Sequence, residues 1–180
     1  MSDVRGRPGR EGSGGTPPVL QGDRVMLRRA TVDDVPPLAA IIATPEVSRW
    51  WASPFSEADI TADDAVVFAI EVEGEVAGLI QYCEENEPDY RHAGVDVVLA
   101  PQHHGRGLGA DAVRTLARHL FDERGHHRLT IDPAADNARA IASYAQVGFH
   151  PVGVMRRYER RRDGSWHDGL LMDLLRDELR

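Results

Sequence analysis

Residues 103–113 read His-His-Gly-Arg-Gly-Leu-Gly-Ala-Asp-Ala-Val, three alternating glycines between an apolar strand and an amphipathic helix. Alternate glycines remove side chains where main-chain N–H groups must converge, and the helix that starts there adds the positive end of its dipole. A phosphate-bearing ligand is the natural occupant. A nucleoside triphosphate loop would need Gly-Lys-Ser or Gly-Lys-Thr, whereas Gly109 is followed by Ala110 and Asp111. The spacing Gly107-x-Gly109-x-x-Ala112 meets a loose dinucleotide pattern, but too little sequence follows it for a doubly wound domain. Just upstream, Gly94 to Ala100 reads as a largely buried strand carrying one carboxylate, Asp96, close to where that ligand would lie. An anion cradle beside a buried acid is the pattern of an enzyme.

The elements that must hold these residues follow from periodicity and punctuation. Residues 1–18 are rich in Gly, Pro, Arg and Ser without apolar periodicity, which predicts a disordered tail ahead of one domain over 19–180. Strands are expected at Arg24 to Arg29, Val66 to Val72, Val76 to Cys83, His92 to Leu99, His127 to Asp132, Phe149 to Arg157 and Leu170 to Leu175. Glu73-Gly74-Glu75 is a hairpin turn, and Arg160 to Gly164 joins the last two strands. Thr31 caps a helix running through Ile42, and a short helix begins after Ser56. After the glycine loop, Val113, Leu116, Ala117, Leu120 and Phe121 fall at helical spacing until Gly125. Asp136 is the expected N-cap of a last helix that ends at Gly148. The order implies an α/β domain of mixed α+β type: a central, mostly antiparallel mixed sheet of about six to seven strands, with helices on both faces.

Leu129 to Phe149, a strand, a turn with Asp132-Pro133 and a helix ending in Gly-Phe, follows the glycine loop in fixed order. Together the two segments resemble the GNAT superfamily of acyl-CoA-dependent N-acyltransferases, over about residues 24 to 175. Val47-Ser48-Arg49-Trp50-Trp51, Gly94-Val95-Asp96 and Ile131-Asp132-Pro133 with Asn137 are similar to the aminoglycoside 6'-N-acetyltransferases. Met155 to Glu159 and Gly164 to Met172 resemble instead the ribosomal-protein N-terminal acetyltransferases, which act on a peptide α-amine.

The resemblance implies acetyl-CoA as co-substrate, its pyrophosphate resting on the N–H groups of Gly105, Arg106, Gly107, Leu108, Gly109 and Ala110, with Arg106 offering a charge. His104 stands where many members have Gln or Arg. Main-chain N–H groups of Val97, Val98 and Leu99 are implied to hold the pantetheine and the developing oxyanion, and Asn137 to bond the pantetheine. An amine must lose its proton before it attacks a thioester. Asp96 is implied as the base, although an ordinary Asp pKa of about 3.9 is low for that role and burial would have to raise it. Tyr144 is implied as the acid for the departing thiolate. For the acceptor, Trp50 and Trp51 offer an aromatic wall, Asp96 and Asp132 the separated carboxylates that a polycation needs, and Glu84, Glu85, Glu87 and Asp89 a further acidic loop. The expected acceptor is the 6'-amine of an aminoglycoside, implying antibiotic resistance. Alternatives are a peptide α-amine, a small polyamine, or a non-catalytic acyl-CoA-binding module.

Composition narrows the partners. A net charge of −8 argues against nucleic acid and suits a polycationic small molecule. Cys83, the single cysteine, sits in an apolar-alternating run and is expected in the core. The pairs His103-His104 and His126-His127 point apart along the chain and have no cysteine beside them, so no metal is expected. No apolar run approaches the ~20 residues of a membrane span and the N-terminus lacks a signal core, which predicts a cytoplasmic protein, monomer or homodimer, without a membrane partner.

Overall fold

A computed structural model describes residues 18–51 and 53–180; the expected tail, apart from Pro18, lies outside them. The strands are β1 (Leu20–Gln21), β2 (Met26–Arg29), β3 (Val66–Val72), β4 (Glu75–Glu85), β5 (His92–Leu99), β6 (Arg128–Ile131), β7 (His150–Arg160) and β8 (Trp166–Leu175). The helices are α1 (Val35–Ile42), α2 (Pro45–Ser48), α3 (Glu57–Thr61), α4 (Leu108–Asp122) and α5 (Ala138–Val147). All eight strands form one sheet in the order β1-β2-β3-β4-β5-β6-β8-β7. Every pairing is antiparallel except β5 with β6. The strand beyond the expected six or seven is β1, too short to show alternation, which pairs Leu20 with Leu27.

Alternation along the central strands divides the interior into two cores. Val67, Leu79 and Val98 face Leu38 and Ile42 of α1, with Val47 and Phe55. Phe68, Ile70, Ile80 and Val95 face Leu108, Val113, Leu116 and Leu120 of α4, with Tyr144 and Val147 of α5. Helices therefore cover both faces, and each buried Leu or Ile contributes about 1.5–3 kcal/mol of transfer free energy. Among the described residues no helix is long and apolar enough to cross a membrane.

Four local expectations change. Thr31 opens a turn of 3-10 helix, Val32–Asp34, before α1 begins, because Asp34 takes the Thr31 N–H at 2.8 Å and Pro36 and Pro37 follow. Asn137, not Asp136, caps α5: its Oδ1 accepts from the Ala140 N–H at 3.2 Å, while Asp136 pairs with Arg161 at 2.9 Å. Cys83 is exposed on β4, the pleat having given the inward place to its neighbour Tyr82. The last hairpin is longer than expected, and β8 inserts between β6 and β7 so that β7 becomes the outer edge.

Candidate active site

Pairing between β5 and β6 lasts for two residue pairs, Ala93 with Leu129 and Gly94 with Thr130, and then the strands part. β5 keeps its other partner, β4, as far as Leu99. Because the Ala100 N–H donates to Ala77 O at 2.8 Å, strand alternation turns the N–H groups of Asp96 and Val98 toward β4 and those of Val97 and Leu99 into the fork. Of the three main-chain donors expected there, the pleat offers two; Val98 lines the cavity while its N–H is committed to β4.

A cavity of 1020 Å³ opens at this fork. On one side lie Gly105, Gly107, Leu108 and Gly109. Gly105 at φ +70° and Gly107 at φ +76°, the residue that starts α4, adopt left-handed backbone, and a Cβ at either would meet nothing within 4 Å. Glycine is required there for chain direction rather than for space. Ala110 and the side chain of Leu108 belong to the core. Arg106 is exposed, its carbonyl accepting from Arg24 Nη1 at 2.6 Å and its guanidinium 3.5 Å from His103 Nδ1 at the cavity wall; neither Arg106 nor Ala110 lines the cavity.

The cation at this end is one that sequence reading missed. Arg139, in the first turn of α5, lines the cavity and donates to His104 Nδ1 at 3.0 Å, and His104 Nε2 donates to Leu99 O at 2.8 Å. His104 thus bridges the end of β5 to α5. Burial, aided by Arg139, holds the imidazole below its ordinary range, so it is a neutral pin. The only available signal was position: Arg139 follows the capping Asn137 by two residues, where a helix N-terminus faces the loop.

The opposite end is acidic. Asp96 pairs across the sheet with Gln81, whose Nε2 donates to its carboxylate at 3.1 Å. Arg91 and His92 bond other groups, the carbonyls of Gly125, Arg124 and Tyr90. Burial pushes the Asp96 pKa up, and Asp132 and Glu159 push it further. Asp132 is also raised by burial, and accepts the Tyr158 hydroxyl at 2.6 Å. Tyr144 is 8% exposed, tilted against Phe149, and its hydroxyl has no hydrogen-bond partner among the described residues. Burial, then Asp96 and Asp132, raises its pKa, which leaves a neutral O–H donor at physiological pH.

Asn137 lines the cavity with its amide oxygen committed to the cap and its NH2 group without a hydrogen-bond partner among the described residues. Trp50 and Trp51 form part of the wall, Trp51 packed on the α1 core and Trp50 carrying the Arg49 guanidinium 4.4 Å from its ring centroid. The acidic loop does not join them: Glu84 is bonded by Arg124 and His126, and neither it, Glu85, Glu87 nor Asp89 lines the cavity. Gln81, Tyr158 and Glu159 do, and none had been singled out as a site residue. Gln81 was legible as the one polar residue in an apolar stretch of β4; Tyr158 and Glu159 arrive only through the geometry of β7.

A family model described as an acetyltransferase (GNAT) domain matches residues 24–150. The chain belongs to the GNAT acetyltransferase family. Within it, the chain is 28% identical over 157 residues to the aminoglycoside N(6')-acetyltransferase type 1 of Klebsiella pneumoniae, covering 74% of this chain and 77% of that one. To the spermidine N(1)-acetyltransferase of Escherichia coli K12 it is 27% identical over 105 residues, 58% of this chain and 55% of the relative. The chain thus spans about half the length of that relative. The GNAT fold recurs in Mycobacterium smegmatis RimJ with CoA-disulfide, at TM-score 0.79, 22% identity and coverage of 91% and 90%. AAC(6')-Ib in complex with paromomycin and acetyl-CoA superposes at TM-score 0.71 with 26% identity, covering 87% of this chain and 96% of that one.

Proposed function

We propose that the chain transfers an acetyl group from acetyl-CoA to a primary amine of a polycationic small molecule, with the 6'-amine of an aminoglycoside as the first candidate. The observation that carries this reading is the polarity of one cavity. Asp132 and Glu159 act on Asp96, and the glycine loop with Arg139 lines the same cavity, whose wall also carries Glu46 and Asp59, so the cavity offers carboxylates to an ammonium and main-chain donors with a guanidinium to a diphosphate.

Between them the groups needed for acyl transfer follow one another. Asp96 takes a proton from the substrate ammonium, directly or through water, and its raised pKa makes it a better base than an ordinary carboxylate. The freed amine attacks the thioester carbonyl, whose oxygen is met by the Val97 and Leu99 N–H groups. As the N–C bond forms and the C–S bond breaks, the Tyr144 O–H hydrogen-bonds and then protonates the sulfur, and the proton lost from nitrogen restores the phenol by way of solvent. Arg139 and the amides of residues 105 to 109 hold the diphosphate, and Trp50 and Trp51 offer faces to a sugar ring or an alkyl chain.

A small polyamine is the second reading, favoured by the same carboxylate cluster and by likeness to the spermidine enzyme. Thiol release from acetyl-CoA, measured with kanamycin, spermidine and a short peptide offered separately, tests the proposal. Turnover of kanamycin supports the first reading and turnover of spermidine alone the second; turnover of the peptide alone removes both, and coenzyme A binding without turnover points to a non-catalytic module.

A further inference from the structure

We propose that Asp168 is a positioning residue for the acceptor end of the cavity, holding both partners of the Tyr158 to Asp132 hydrogen bond from one place on β8. Between the cross-strand pairs Met155–Gly169 and Glu159–His167, β7 runs through residues 156 to 158 while β8 passes through Asp168 alone. β7 must bulge there. The bulge is turned by Arg157, a non-glycine residue at φ +50°, and its N–H donates to Asp168 Oδ1 at 2.8 Å. An L side chain rarely adopts that conformation, so the carboxylate is what holds it. The next residue is Tyr158, whose hydroxyl thereby reaches Asp132 Oδ2 at 2.6 Å inside the cavity.

The other partner is fixed from the same point. The main-chain oxygen of Asp168 accepts from the Ala135 N–H at 2.8 Å, and the Leu170 N–H donates to Pro133 O at 2.8 Å, so the turn that follows Asp132 is stitched to β8 around Asp168. Gly169 completes the arrangement, because a Cβ there would stand 2.8 Å from Tyr158 Cδ1 and push the ring away.

The arrangement controls charge. Titratable groups facing Asp132 are Tyr158 from β7, Asp96 from β5 and Tyr144 from α5, with Glu159, paired to His167 of β8, close to Asp96 and Tyr158. None of these is a cation bonded to Asp132. Burial drives the Asp132 carboxyl toward its neutral form, and the Tyr158 hydrogen bond opposes that drive; reciprocally, the Tyr158 phenol is pushed up to about 12. Tyr158, held by Asp168, therefore favours the ionised form of Asp132, the form that attracts a substrate ammonium. This last step rests on the acceptor reading above; the positioning does not.

The experiment follows the Asp132 carboxyl by 13C NMR titration in the wild type and in Tyr158→Phe, Asp168→Ala, Asp168→Asn and Gly169→Ala, with no acceptor present. The midpoint is expected to rise by about one pH unit in Tyr158→Phe, Asp168→Ala and Gly169→Ala, the scale of one lost hydrogen bond to a charged group. Asp168→Asn keeps the midpoint near the wild-type value, since its Oδ1 still accepts from Arg157. With an amine that is turned over, KM for the amine should rise several-fold at pH values between the wild-type and variant Asp132 midpoints and little well above both in the first three variants, with KM for acetyl-CoA unchanged. A wild-type midpoint in Tyr158→Phe overturns the proposal, as does an Asp168→Asn protein that titrates like Asp168→Ala. If Asp168→Ala fails to fold, Tyr158→Phe and Gly169→Ala carry the test. A midpoint that moves while none of the offered amines reacts leaves the positioning intact and removes the acceptor reading; turnover with an unmoved midpoint does the reverse.

Discussion

Asp96 has a neutral amide donor, Gln81, where a structural carboxylate would have a guanidinium, and two further carboxylates near it. That environment favours the protonated acid, which suits a base and costs stability. Since the folded pKa lies above the unfolded one, the stability Asp96 adds is present below its ordinary value and is lost as pH rises through the folded value. Asp96→Asn is accordingly expected to raise Tm at pH 7 by about 2 °C or more in calorimetry. The same protein should lose about a hundredfold or more in kcat with an unchanged acetyl-CoA dissociation constant. In the wild type, kcat/KM should fall as pH drops through the raised pKa, and that acid limb should vanish from the residual activity of the variant. Tyr144→Phe should lower kcat about tenfold to a hundredfold without loss of stability, because its hydroxyl satisfies no neighbour among the described residues. Asp96, Asp132 and Tyr144 were legible as cavity residues from residue type and family pattern, whereas Arg139 was not: the sequence offers Arg106 as the charge beside the glycine loop, and the residue that lines the cavity is Arg139, brought there by α5.

At the scale of elements, α4 does two tasks with one end. Its first turn lines the cavity through Leu108 and Gly109, and Asp111, one turn in and 5% exposed, accepts the N–H groups of Asp23, Arg24 and Val25 at 3.2, 2.8 and 3.2 Å. That carboxylate ties the β1–β2 turn to the helix, and Arg24 in turn holds the carbonyl of Arg106 in the loop. Asp111→Ala would leave those donors unsatisfied in a buried place, and urea denaturation should show a loss of about 2–4 kcal/mol. In the sequence Asp111 served only to disqualify a triphosphate loop, since hydrogen bonds across more than eighty residues leave no local pattern. The β5–β6 fork is similarly silent: the strands read alike whether paired along their length or for two residues.

Across the whole molecule, the net charge of −8 and the five carboxylates that line the cavity, Glu46, Asp59, Asp96, Asp132 and Glu159, make a field that a polycationic acceptor would sense before contact. KM for a triamine should therefore rise more steeply than KM for a monoamine between about 20 mM and about 500 mM salt, because screening weakens each added charge pair. Equal salt slopes would show that the carboxylate cluster does not recruit the acceptor. The remote acids behave differently: Glu84, clamped by Arg124 and His126, should leave both slopes unchanged when replaced by Gln.

Hydrophobic periodicity, glycine and proline punctuation and two ordered motifs determined the elements, the two-faced mixed sheet and the family, because each is a pattern of near neighbours along the chain. Tertiary structure alone decided which amides of β5 face the fork, that Arg139 rather than Arg106 lines the cradle, that Glu84 is an ion-paired strut, and that a bulge at Arg157 brings Tyr158 to Asp132. The reason is distance along the chain. These relations join residues from separate strands and helices, and their direction depends on where neighbouring strands part, shift register or reverse a side chain from one face to the other.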